Sequence, residues 1–137
     1  MVTTDYLMAD ETLIPVLTND KLGATHKGYH WGYYDPGNKM VCFDYQKTRG
    51  REGPDEFLKK FIGHLQTDGY TVYNNLKNGA NITQMACMAL ARRKFEYAKD
   101  NDPALASEAL VMFHQLYEIE RDARDKDLTH DEIKLLR

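Results

Sequence analysis

Cysteine is scarce in this chain, which excludes the classes of protein that depend on it. Among the 137 residues there are two cysteines, Cys42 and Cys87, and neither stands at CxxC or CxxH spacing. A disulfide framework and a zinc ribbon are therefore not expected. Both cysteines lie in apolar, strand-like sequence, which predicts buried thiols of a cytoplasmic protein.

Long apolar runs and an excess of positive charge are also missing. The longest apolar run is Met85–Ala91, and the chain does not open on a basic segment, so neither a signal peptide nor a membrane span is expected. Lysine and arginine total 18 against 21 aspartates and glutamates, for a net charge of −3. This balance excludes a highly basic nucleic-acid coat. A DNA enzyme with local basic patches stays possible, because electrostatic steering depends on where the charge lies.

The first third of the chain predicts β-structure. With 42% hydrophobic and 28% charged residues, the composition suits one folded domain. Strands are predicted at Tyr6–Leu17, Gly28–Tyr34 and Lys39–Tyr45, separated by a polar loop at Lys21–Lys27 and a turn at Asp35–Asn38. Because the connections are short, the three strands are expected to form an antiparallel meander.

The pattern becomes mixed after Gly53–Pro54. Proline at a helix start, followed by Asp55 and Glu56, is typical of the first turn of a helix. Apolar residues then recur at helical spacing from Phe57 to Leu65, and the helix is predicted to end at Gly63 and His64. A strand at Leu65–Gly69, a short helix or turn at Tyr70–Lys77, a strand at Ile82–Met88 and a helix at Ala89–Lys99 are predicted to follow. The order predicts an α/β fold with helices flanking a mixed sheet.

The segment after Asn101–Pro103 is helical in character. Its apolar stripe comprises Leu105, Ala109, Met112, Phe113, Leu116 and Ile119, and must be buried against something. A capping box at Thr129 and Glu132 predicts a further helix that ends only a few residues later. We therefore expect a piece of a larger protein, with a core over residues 1–99 and the start of a helical insertion over 100–137. The stripe is then expected either to fold back on the core or to pair with a second molecule. We expect self-association through it, as a result of truncation and not as the native assembly.

Two aspartates are candidates for metal chemistry. Asp10 lies inside the first strand, and Asp68 ends the strand that follows the first helix. In a βββαβ arrangement these strands are neighbours and parallel, so the two carboxylates are expected to meet, and paired carboxylates bind Mg²⁺ through their oxygens. The alternatives are a solvent-facing side chain for Asp10 and a strand-end cap for Asp68.

Two basic clusters are candidates for DNA contacts. Lys47, Arg49 and Arg51 flank a glycine, which suits backbone phosphates and equally suits a solvated loop. Arg92, Arg93 and Lys94 are predicted to open a helix, where a phosphate contact is plausible. Their alternative role is to cover the surface of the core with their aliphatic stems.

Five blocks in order resemble one protein family. They are Asp10–Thr12, Phe43–Gln46, Arg49–Pro54, Leu65–Tyr70 and Cys87–Phe95, and together they resemble the catalytic region of the insertion-sequence 66 family of DDE transposases. The resemblance implies a ribonuclease-H-like fold in which three antiparallel strands are followed by parallel ones, with a C-terminal helical segment. It also implies Mg²⁺ or Mn²⁺ as two ions, DNA as partner, and DNA cleavage and joining in transposition, with Asp10 and Asp68 as the first two catalytic acids.

Two departures from the family pattern bear on activity. The family usually has a histidine three residues after the cysteine, where this chain has Leu90. The third acid of the family follows a helical insertion and is therefore expected beyond Arg137, so the chain alone is expected to be inactive. Two other interpretations stay open: a catalytically inactive transposase remnant that acts as a binding or assembly module, and a different ribonuclease-H-like nuclease.

Overall fold

The computed structural model describes residues 4–18 and 23–137 and divides into two compact units, Met1–Cys87 and Met88–Arg137. The first unit contains five strands, β1 Tyr6–Leu17, β2 Thr25–Asp35, β3 Met40–Gln46, β4 Gly63–Thr67 and β5 Ile82–Ala86. It also contains the helix α1 Glu52–Phe57 and 3₁₀ turns at Thr71–Asn75 and Gly79–Asn81. The second unit contains the helices α2 Met88–Ala98, α3 Pro103–Asp125 and α4 His130–Leu136.

The strands form one mixed sheet in the order β3-β2-β1-β4-β5. The three strands β1, β2 and β3 pair antiparallel, whereas β4 pairs parallel to β1 and β5 parallel to β4. The first strand is therefore central, with a meander on one side and crossover strands on the other. This is the ribonuclease-H-like arrangement expected from the sequence, and the prediction is confirmed.

The core of the first unit covers one face of the sheet. Alternate side chains of the strands point to this face, as the two-residue period of a strand requires. Fully buried members include Trp31 of β2, Leu65 of β4 and, from outside the sheet, Leu58 and Tyr73. Trp31 meets Tyr73 edge to face, with ring centroids 5.9 Å apart. The segments after β3 and β4 thus complete the core that β1 and β2 begin.

Several element boundaries differ from the predictions, most of all those of β2, α1 and β4. Strand β2 begins at Thr25 rather than Gly28, because its pairing with β1 continues to Leu17 and Thr25; Lys21 and Leu22 of the predicted loop lie outside the described residues. Helix α1 ends at Phe57 instead of continuing to Gly63 and His64. Gly63 and His64 belong to β4, where the His64 amide donates to the Asp5 carbonyl at 2.7 Å, so tertiary pairing overrides the helical spacing.

The prediction of buried thiols is wrong. Cys42 is exposed and Cys87 is partly buried, and both are free cysteines. Cys42 lies on β3, which is an edge strand, and an edge strand has a neighbour on one side only. The apolar residues around Cys42 share this exposure, with Val41 at 55% and Phe43 at 67%.

The second unit is helical throughout. Phe95 of α2 and Phe113 of α3 pack with ring centroids 5.5 Å apart, and α3 continues to Asp125 rather than ending at residue 120. The expected burial of the apolar stripe holds only in part, because Leu105 and Met112 are exposed whereas Phe113 and Leu116 are partly buried. Among the described helices, none has the length and apolar character that crossing a membrane requires.

Candidate active site

The candidate carboxylates lie on neighbouring parallel strands. The pairing of β1 with β4 runs from Tyr6 opposite His64 to Met8 opposite Gln66. Asp10 lies two residues further along β1, and Asp68 follows the last residue of β4. The same register, extended by two residues, would bring Asp10 and Asp68 opposite each other, at the spacing of about 4.8 Å that separates paired strands.

Both carboxylates face solvent. The amide of Glu11 donates to Asp10 Oδ1 at 2.9 Å, and the amide of Tyr70 donates to Asp68 Oδ1 at 2.8 Å. The Asp10 side chain is exposed, as in the solvent-facing alternative for this residue. Asp68 does cap a turn after its strand. Neither feature prevents metal binding, because Mg²⁺ binds one or two carboxylates and keeps several of its waters.

The described residues do not contain a complete metal centre. Within residues 4–18 and 23–137, no group of three or more histidine, cysteine, aspartate or glutamate side chains converges to hold an ion. Asp10 and Asp68 form a pair of oxygen donors at most. A site built on them needs at least one further ligand.

A buried acid stands immediately beside Asp10. Glu11 lies on the opposite face of β1, in register with Trp31, and its side chain is 2% exposed. Arg49 donates to Glu11 Oε1 through Nε at 2.9 Å and also through Nη2. Burial raises the pKa of Glu11, and the bond and charge of Arg49 offset part of this rise. Sequence reasoning missed Glu11, although residue 11 alternates with the buried Leu7 and Ala9.

The loop cluster of basic residues is held by internal contacts. Besides its bond to Glu11, the Arg49 guanidinium lies 4.0 Å from the centroid of the Tyr70 ring. Arg51 donates to the Asn75 carbonyl at 2.9 Å and lies 3.6 Å from Asp55. Lys47 is exposed. Two of the three predicted phosphate contacts therefore already have partners within the first unit.

The second basic cluster lies within α2. The prediction that this cluster opens the helix is wrong for Arg92, Arg93 and Lys94. Helix α2 begins at Met88, about one turn before Arg92. Arg92 forms an ion pair with Glu96 at 2.7 Å, one helical turn later. Arg93 and Lys94 are exposed. Leu90, which replaces the family histidine, is partly buried in the first turn of α2.

The strand order and the mixed pairing define a ribonuclease-H-like protein. The model of the Transposase IS66 family matches residues 1–137, and the chain belongs to this family. The match extends beyond the blocks that carried the resemblance and includes all of the C-terminal helical segment.

Two relatives come from Sinorhizobium fredii (strain NBRC 101917 / NGR234). Uncharacterized protein y4qI is 32% identical over 136 residues, which cover 88% of this chain and 25% of the relative. Uncharacterized protein y4jD is 31% identical over 96 residues, which cover 65% of this chain and 19% of the relative. The chain therefore spans about a quarter or less of the length of these curated relatives.

A solved structure is also similar to this chain. It is the cryo-EM structure of a simian T-cell lymphotropic virus intasome in complex with PP2A regulatory subunit B56 gamma. The sequence identity is 14% and the TM-score 0.41, and the similarity covers 77% of this chain and 46% of that chain.

Proposed function

We propose that this chain supplies two of the three catalytic acids of a DDE transposase, which cleaves and joins DNA in the transposition of an insertion sequence. Family membership supports the class of reaction. The observation that supports the two acids is the parallel pairing of β1 with β4, whose last pair, Met8 and Gln66, lies two residues before Asp10 and Asp68 on each segment. The third acid, the DNA-end recognition and the rest of the assembly belong to parts of the protein beyond these residues.

Asp10 and Asp68 are the residues that would hold Mg²⁺ or Mn²⁺, with two ions in the complete site. Their carboxylate oxygens are the donors these ions prefer, and their exposure leaves room for the waters that Mg²⁺ retains. The metals would supply activation of a water or a 3′-hydroxyl and stabilisation of the leaving oxygen. The carboxylates of Asp10 and Asp68 would hold the ions through their oxygens. A third carboxylate is required, so the 137-residue chain with labelled end DNA and Mn²⁺ should show no strand transfer.

The metal assignment is tested by paramagnetic broadening with Mn²⁺. Amide signals near Asp10 and Asp68 should broaden in the unmodified chain, and Asp10→Asn should weaken the effect because one of the two ligands is neutralised. Asp5→Asn, at an exposed acid earlier in the same segment, is the matched control. Equal broadening in the unmodified chain and in Asp10→Asn would refute the assignment.

We propose that Lys47 in the first unit, and separately Arg93 and Lys94 in the second, contact DNA phosphates. Arg49, Arg51 and Arg92 contribute charge while keeping their internal partners. Exposed basic side chains bind phosphates through counterion release, so removal of each phosphate-binding side chain should lower the salt dependence of binding by about one unit of slope. The double variant Arg93→Ala/Lys94→Ala should therefore lower the slope by about two units, as measured by fluorescence anisotropy with duplex DNA. Lys126→Ala, an exposed lysine of the same unit, is the control.

We propose that α3 also mediates self-association. Leu105, Val111 and Met112 are each more than half exposed, and apolar side chains in this number favour a second copy of the helix over water. Light scattering after size exclusion should show a dimer that Leu105→Glu or Met112→Glu dissociates. Phe113→Glu is unsuitable, because Phe113 packs against Phe95 within the unit. A monomer at all concentrations would exclude this mode of association.

A further inference from the structure

Glu11 is a buried charge that depends on Arg49. Its side chain is 2% exposed, and Oε1 receives both bonds from Arg49. Oε2 is buried and has no hydrogen-bond partner among the residues that the structure describes. Separating a buried carboxylate from the cation that it contacts is strongly unfavourable, because the charge is left without water or a counter-charge. Arg49 is therefore committed to Glu11.

Arg49 connects Glu11 to the turn that carries Asp68. Its guanidinium lies over the Tyr70 ring at 4.0 Å from the centroid, and the Tyr70 hydroxyl donates to the Arg49 carbonyl at 3.2 Å. The Tyr70 amide in turn donates to Asp68 Oδ1 at 2.8 Å. Contacts thus run without a break from Glu11, the residue next to Asp10, through Arg49 and Tyr70 to Asp68.

We propose that Glu11 and Arg49 are positioning residues that hold the turn Asp68–Tyr70 against β1 and so keep the Asp68 carboxylate beside Asp10. The link is needed because the β1–β4 ladder ends at Met8 and Gln66, before either aspartate. Asp68 follows the last residue of β4 and would otherwise depend on its own turn alone. The role of Arg49 is then internal, and it differs from the phosphate contact that its sequence context suggests.

The expected effect on metal binding rests on the proposed function. Whether Glu11 and Arg49 hold the turn Asp68–Tyr70 in place can be measured without metal. Hydrogen exchange of the Tyr70 amide reports the turn directly. The substitution Arg49→Lys keeps a positive charge opposite Glu11, but it removes the planar guanidinium group and its stacking on the Tyr70 ring. We expect exchange of this amide to accelerate by about tenfold or more, because the turn opens locally. Glu11→Gln should give the same result.

The matched control is Lys59→Ala, which removes an exposed ion pair of the first unit with Glu56. It should leave exchange at Tyr70 unchanged. Exchange at Leu65, in the centre of β4, should stay slow in Arg49→Lys, which separates a local effect from general destabilisation. Unchanged protection of the Tyr70 amide in both Arg49→Lys and Glu11→Gln would overturn the proposal, whether or not the chain binds Mn²⁺. If Glu11→Gln does not fold, Arg49→Lys alone decides.

A second measurement addresses metal binding. Affinity for Mn²⁺ should fall by about tenfold or more in Arg49→Lys, as is typical when a residue that orients a metal ligand is changed. Fast Tyr70 exchange together with unaltered Mn²⁺ affinity would overturn the positioning of Asp68 as a ligand. No Mn²⁺ binding in the unmodified chain would count against the proposed function, and the exchange result would still decide whether Glu11 and Arg49 hold the turn.

Discussion

Gly63 is a single residue on which the start of β4 depends. Its φ of +147° lies in a region that side chains rarely adopt, and a Cβ at this position would overlap the carbonyl of Asp5. That carbonyl accepts a hydrogen bond from the His64 amide. Any side chain at position 63 would therefore strain both the local backbone and the pairing of β4 with the segment that leads into β1. The parallel pairing of β1 with β4, and with it the relation of Asp10 to Asp68, starts from this residue.

Gly63→Ala should therefore lower the free energy of unfolding by about 2 kcal/mol or more, the cost of a side chain in a disallowed backbone region plus the overlap. Urea denaturation monitored by Trp31 fluorescence measures the loss. Gly79→Ala is the matched control, because a Cβ added there would meet no described atom within 4 Å and its φ is not positive. Equal midpoints for the two variants would contradict this account of β4.

At the scale of single elements, α3 and α4 depend on their N-terminal caps. Asp102 accepts the Leu105 amide at 3.1 Å, and Pro103 follows in the first turn of α3. In α4 the Thr129 and Glu132 side chains form a reciprocal capping box, as the sequence predicted. Caps satisfy amides that have no partner inside the helix, which is why short local motifs determine where these helices begin.

Asp102→Ala should destabilise the second unit by about 1 kcal/mol, because the Leu105 amide loses its acceptor. The change is measured as a shift of the helical circular dichroism signal in thermal unfolding. Asp100→Ala removes an exposed acid of the preceding turn and should shift the transition little. The cap would have no energetic role if both substitutions gave the same small shift.

At the scale of the whole molecule, the core of the first unit is rich in phenols. Tyr33 and Tyr73 are each at most 2% exposed, and their hydroxyls have no hydrogen-bond partner among the described residues. Burial raises the pKa of both phenols well above the ordinary value, and nearby acids add to the rise, Asp44 at Tyr33 and Glu11 at Tyr73. Their ionisation is therefore coupled to opening of the core.

Because the folded state holds these protons more tightly than the unfolded state, stability is fully present below the ordinary phenol pKa of about 10 and is lost as pH rises above it. Alkaline titration of tyrosinate absorbance should show a late step that coincides with the loss of circular dichroism. Tyr73→Phe should reduce the amplitude of that step by one phenol. Ionisation of all nine tyrosines before unfolding would contradict the burial of Tyr33 and Tyr73.

Local sequence patterns determined much of the fold of the first unit. Alternating residues and turn signals predict β1 at Tyr6–Leu17 with the bounds observed, and the order of elements predicts the central position of β1 beside β4. The motifs at Asp10 and Asp68 likewise follow from short segments of sequence. These features are accessible because they depend on neighbours within a few residues, where periodicity and backbone preferences act.

The tertiary structure decided the features that depend on distant residues. Helix α1 stops at Phe57 because Gly63 and His64 are drawn into pairing with Asp5 and β1, a contact that helical spacing does not reveal. Glu11 and Arg49 are separated by 38 positions, and neither sequence context shows that one is buried and neutralised by the other. A buried charge acquires its partner only when the chain has folded, since the cost of its desolvation is offset by a group brought from elsewhere.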